Sequence, residues 1–60
     1  MEIRVIDNLN GEEIFKGKAS EFLTINEDDE NLGDCIAKLI TRDKVTYTTF
    51  LGQSYEICKA

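Results

Sequence analysis

The chain has 60 residues, enough for one domain (1–60), and a chain of that size buries only about 60% of its unfolded surface on folding. Its hydrophobic share of 42% argues against a disordered segment, and its formal charge of −5, from 12 acidic and 7 basic residues, disfavours a general nucleic-acid binder and attachment to an anionic membrane. There is no histidine, so the commonest general base and metal ligand is missing, and the two cysteines are too few for a disulfide scaffold.

Residues 2–7, EIRVID, read as a strand in which Ile3 and Val5 alternate with Arg4. Asn8-Leu9-Asn10-Gly11 reads as a turn, with Gly11 suited to positive φ. Glu12 to Lys18 is the returning strand. Gly17 weakens it or marks a bulge near its end, and Lys16 and Lys18 suit a sheet edge. Ala19 to Ile25 reads as a short helical turn, with Ser20 as a cap and Phe22 or Leu23 plugging one end of the core. Thr24 and Glu27 also stand at capping-box spacing.

The stretch Asp29–Thr41, DENLGDCIAKLIT, carries the only clear helical period. At about 100° per residue, Leu32, Cys35, Ile36, Leu39 and Ile40 share one face, and Glu30, Asp34 and Lys38 share the other. Carried backwards, the same wheel puts Asp28 and Asp29 on the apolar face, where carboxylates without partners are costly. Docking therefore begins near Asp29, with Asn26, Asp28 or Asp29 as the N-cap. Glu27, Asp28, Asp29 and Glu30 then stand at the positive end of the helix dipole. Gly33 costs this helix about 1 kcal/mol relative to alanine, unless it makes room for a neighbour.

Thr41–Lys44 is a polar connection. Val45 to Leu51, VTYTTFL, is the strongest strand signal in the chain, and Gly52-Gln53 reads as a two-residue hairpin turn before Ser54–Lys59. In that register Phe50 faces Tyr55 and Thr48 faces Ile57 on one side, while Tyr47 faces Cys58 on the other. Which side meets the helix stays open, because a shift of one residue exchanges the faces. Two hairpins joined through a helix predict an α+β fold: a small ββαββ domain, an antiparallel sheet with one main helix packed on one face.

Little here can carry chemistry. Neither serine has a base partner, there is no glycine-rich phosphate loop, and the two cysteines stand outside any CxxC pattern, so no catalytic residue, cofactor or metal is expected. Glu27–Glu30 with Asn31 and Asp34 do not follow the ligand spacing of a calcium loop, and a solvated helix start explains them. No apolar run is long enough to span a membrane, and the opening MEIRVID does not resemble a signal peptide. The expectation is a cytoplasmic protein with Cys35 and Cys58 reduced; a single bridge between helix and last strand is the alternative.

The segment VIDNLNGEEIFKGKASEFL, residues 5–23, resembles the opening of short proteins encoded by bacterial phages and prophages. They share a strand, an acidic turn with Gly-Glu, a second strand and a helical start of EFL type. The resemblance implies a small accessory protein and carries over no functional residue.

The reading that follows is a small, acidic, non-catalytic domain that binds a protein, as a phage or prophage accessory protein or a modulator of a host protein. Tyr47, Phe50 and Tyr55 are the expected contact aromatics, and Glu27, Asp28, Asp29 and Glu30 an acidic patch able to steer a basic partner. The uncovered sheet face is expected to expose apolar residues and to pair with a second copy about a two-fold axis. The rival reading is a nucleic-acid-binding module using Lys16, Lys18, Lys38, Arg42 and Lys44.

Overall fold

In the computed structural model, which describes all 60 residues, the elements follow as β1 (Glu2–Asp7), β2 (Glu13–Lys18), α1 (Ala19–Ile25), α2 (Glu30–Ala37), a 3₁₀ turn (Lys38–Ile40), β3 (Lys44–Thr48) and β4 (Ser54–Lys59). The strands form one antiparallel sheet in the order β2-β1-β4-β3. The α+β class stands, but the order is ββααββ. The stretch read as a helical turn is a separate helix of seven residues. Both helices pack on one sheet face, α1 against β2 and α2 against β3.

Strand alternation sets that face. Ile3 and Val5 of β1, Ile57 of β4, and Val45 and Tyr47 of β3 point into it and are buried. Ala19 and Phe22 of α1, with Leu32, Ile36 and Leu39, close over them in one cluster. The Phe15 ring packs on Phe22 at 4.9 Å between centroids. It lies where a side chain at Gly17 would intrude, since a Cβ there would stand 3.3 Å from the ring. Gly17 thus makes room for the ring, and the bulge falls elsewhere, at Ile14, where Val5 pairs with Phe15 but Ile6 pairs with Glu13.

The two helices are separated for the reason the wheel suggests. Asn26 ends α1, both its backbone N–H and its side-chain amide donating to the Phe22 carbonyl. Asp29 is the N-cap of α2, its Oδ1 accepting from the Asn31 N–H at 3.0 Å. The Ser20 cap expected for α1 does not form, and Thr24 caps no helix. The residue before the helix is Lys18, Thr24 bonds back to the Ser20 carbonyl, and the first helical N–H, of Ala19, donates to Met1 O.

At its far end the main helix tightens, which corrects one face assignment. The last residues, Lys38–Ile40, wind as 3₁₀ at about 120° per residue instead of about 100°. Leu39 stays in the core, while Ile40 is carried outward and is 72% exposed.

The second hairpin differs most from expectation. Tyr55 faces Tyr47, three residues before Phe50 on the chain, and Ile57 faces Val45. Thr49 and Gln53 close the loop: the Thr49 N–H donates to Gln53 O at 2.8 Å, and the Gly52 N–H to Thr49 O at 2.9 Å. Phe50-Leu51-Gly52 is therefore a three-residue loop, with Gly52 at φ 89°. An odd shift exchanges faces, so Tyr47 and Ile57 go into the core together and Thr48 points away.

Candidate protein-contact surface

The uncovered sheet face is polar. It presents Glu2, Arg4 and Ile6 of β1, Lys16 and Lys18 of β2, Lys44, Thr46 and Thr48 of β3, and Ser54, Glu56 and Cys58 of β4. Ile6 and Cys58 are apolar there and half-buried, and Ile14 at the β2 bulge is 49% exposed and packs outside the core cluster. The expected apolar seam for a two-fold dimer is therefore missing from this face. Tyr47 and Ile57 lie under the helices, and Phe50 belongs to a loop. Cys35 packs toward the core while Cys58 points to the open face, so the sheet backbone stands between two free thiols.

The register sets Lys16, Arg4, Cys58 and Lys44 side by side across the open face, a partial version of the basic patch expected for nucleic acid. It is weakly cationic as built. The Arg4 guanidinium donates to Glu13 Oε1 at 2.6 Å, a contact that holds its pKa above the usual value, and Glu56 stands in the next row. Lys38 and Arg42 join Lys44 at the β3 edge, on the opposite side of the sheet from Lys18.

Topology also sorts the charges by end. The β1–β2 turn, the α1–α2 connection and the β3–β4 loop all emerge at one end of the sheet. That end carries Asp7, Glu12, Glu13, Glu27, Asp28, Asp29 and Glu30, of which only Glu13 is met by a cation, Arg4. The opposite end carries Lys18, Lys38, Arg42, Lys44 and Lys59, with Glu2, Glu21 and Asp43 among them. A net charge of −5 thus conceals a molecule with one strongly acidic pole.

The acidic end also holds four strongly exposed apolar side chains, against Ile40 and Met1 at the opposite end. Phe50 is 95% exposed, Leu9 91%, Leu51 75% and Ile25 70%. A cleft of about 510 Å³ opens between the α1–α2 connection and the β3–β4 loop, lined by Ile25, Phe50 and Leu51 on its apolar side and by Asn26, Asp28, Asp29, Glu30 and Asn31 along the helix start. Tyr47, Thr49 and Gln53 complete the lining. Gln53 also lines a neighbouring hollow with Leu9, Asn8 and Tyr55, so the two depressions adjoin at that residue.

Tyr47 holds the cleft together. Its ring is core, stacked near Tyr55 at 6.2 Å between centroids, and its hydroxyl donates to Asp29 Oδ2. Burial, then the bond to Asp29 and the negative charge of that carboxylate, push the Tyr47 pKa up to about 12. The carboxylate that the helical wheel sends inward is thus satisfied from the sheet, while Asp28 and Glu30 stay exposed at the rim. The Tyr55 hydroxyl donates to Gln53 Oε1 at 3.1 Å and steadies the loop below Phe50.

Of the contact residues expected from sequence, the structure brings Tyr47, Phe50, Asp28, Asp29 and Glu30 into one cleft. Glu27 stands in the same connection but does not line it, and Tyr55 lines the adjoining hollow. Tyr47 and Tyr55 share the covered face instead of occupying opposite faces, so neither is an open aromatic platform. Sequence reasoning passed over Leu9, Ile25 and Leu51. The signal for Leu51 was the glycine after it: Gly52 at positive φ closes a loop that includes Phe50 and Leu51 and takes them out of the strand. Among all residues no group of three or more Cys, Asp or Glu is placed to hold a metal ion, and no helix is long and apolar enough to cross a membrane. No protein-family model, curated protein or solved structure matches the chain.

Proposed function

We propose that the protein is a small, non-catalytic, protein-binding domain that works through its acidic end. One observation carries this reading: Ile25, Phe50 and Leu51 stand exposed together around a single cleft, with Leu9 in the adjoining hollow, while the other exposed apolar side chains, Met1, Ile14 and Ile40, line neither. Exposed apolar groups rimmed by polar ones are the usual mark of a contact surface, and an exposed Phe has no reason to be placed there for stability. The resemblance of residues 5–23 to phage and prophage proteins makes a modulator of a host protein the natural setting. Two unpaired thiols on opposite sheet faces suit a reducing cytoplasm. The test is capture from a bacterial lysate with a tagged chain. Phe50→Asp with Leu51→Asp should abolish recovery of a specific partner while leaving the circular dichroism spectrum unchanged, and Thr46→Asp on the open face should leave recovery intact. Loss through Thr46→Asp alone would move the binding surface to the sheet.

A second reading is nucleic-acid binding by the row Lys16, Arg4 and Lys44. It ranks below the first because Glu13 neutralises Arg4, and Glu56 lies beside the row. Anisotropy with labelled duplex and single-stranded DNA decides it. Binding lost in Lys16→Glu with Lys44→Glu would reverse the ranking.

A further inference from the structure

From the same cleft we infer the chemistry of the partner, on the footing of the protein-binding reading: a basic segment of another protein, an apolar side chain flanked by lysine or arginine. The apolar side chain fits between Ile25 and the Phe50-Leu51 tip, where the cleft has its hydrocarbon lining. The flanking cations fit the rim. Of the carboxylates there, Asp29 is already engaged by Tyr47 and by the Asn31 N–H, so it shapes the wall instead of facing a ligand. Asp28 and Glu30 make no ion pair, and the one ion pair in the molecule is Arg4 with Glu13. Apart from Arg4, which is spent on Glu13, the chain supplies no cation to this end, so the negative field around the cleft is uncompensated and is completed only by an incoming positive charge. An acidic or purely apolar segment would leave that field unanswered, and a nucleic acid would be repelled by it.

The probe is a fluorescein-labelled amphipathic peptide of lysine and leucine, titrated with the full chain, beside a glutamate–leucine peptide of the same pattern. The lysine peptide should bind and the glutamate peptide should not. Asp28→Lys with Glu30→Lys should weaken binding by about tenfold or more, as should Phe50→Asp, and raised salt should weaken the native complex. The control is Glu2→Lys with Asp43→Lys, which changes the net charge by the same amount at the opposite end and should alter affinity less than about twofold. Equal loss in the control would overturn the inference, because attraction would then be to net charge and not to the cleft. Concentration-dependent sedimentation of the native chain, abolished by Asp28→Lys with Glu30→Lys, would also overturn it by showing that a second copy fills the cleft. Failure of the protein-binding reading looks different. If Phe50→Asp leaves lysate capture intact, the surface itself is wrong; if Phe50→Asp abolishes capture but charge reversal does not, the surface stands and the basic partner falls.

Discussion

The Tyr47 hydroxyl donates to Asp29 Oδ2, joining the end of β3 to the N-cap of α2 across 18 positions of sequence. The bond does three things. It completes a buried phenol, it supplies a partner for the carboxylate turned toward the core, and it fixes the α1–α2 connection beside the β3–β4 loop, which is what forms the cleft.

Removing either partner should therefore cost more than an average surface change. Tyr47→Phe forfeits a hydrogen bond to a charged group, worth about 1.5–3 kcal/mol. Asp29→Ala forfeits the same bond together with a cap that by itself is worth about 1 kcal/mol. The double variant should fall short of the sum, because both changes break one shared interaction. Urea unfolding of the four proteins measures this, and full additivity would show that the bond is not made in solution.

The raised Tyr47 pKa gives a pH dependence of known sign. The folded state holds the phenolic proton up to about 12, while the unfolded state releases it near 10.0. Between those values the unfolded chain binds fewer protons, so stability falls as pH rises through the window and is fully present below it. Unfolding free energies taken from pH 9 to 12, as the difference between native protein and Tyr47→Phe, should narrow steadily above about pH 10. A constant difference would mean that Tyr47 titrates normally.

Leu39 and Ile40 are neighbours with opposite fates. Leu39→Ala should destabilise by roughly 2–5 kcal/mol, since its side chain is fully buried. Ile40→Ala should change stability by no more than about 0.5 kcal/mol. Similar costs for both would mean that the helix continues as α through Ile40.

The glycines of the helix and the loop should respond in opposite senses. A Cβ at Gly33 meets nothing within 4 Å, so Gly33→Ala should stabilise, by up to about 1 kcal/mol. Gly52 sits at φ 89°, where an L-residue is strained, so Gly52→Ala should destabilise by about 1–2 kcal/mol. Thermal melts of the two variants should move in opposite directions.

Both thiols should be free. Alkylation after denaturation without reductant should label Cys35 and Cys58, because the sheet lies between them. A two-dalton deficit with neither labelled would require a different register of β4.

Local chemistry settled much of the outline from the sequence alone. The α+β class, the start of the main helix near Asp29, with Asp29 one of three cap candidates, the positive φ at Gly11 and the bounds Ser54–Lys59 of the last strand are legible because each depends on residues close together in the chain. Two independent helices were half-legible: the carboxylates of Asp28 and Asp29 forbade one continuous helix, but a seven-residue helix has too little periodicity to declare itself. The faces of the second hairpin were decided only by the tertiary structure. Strand side chains alternate with a period of two, so choosing a three-residue loop over a two-residue one reverses every assignment, and only burial against α1 and α2 selects between them. That choice put Tyr47 inside, next to a carboxylate 18 residues away, and left Phe50 and Leu51 outside at the acidic end. The aromatic and acidic residues of the cleft could be picked out one by one from sequence. Their meeting at one end of the sheet, and the sorting of charge between its two ends, follow from the path of the chain through three dimensions.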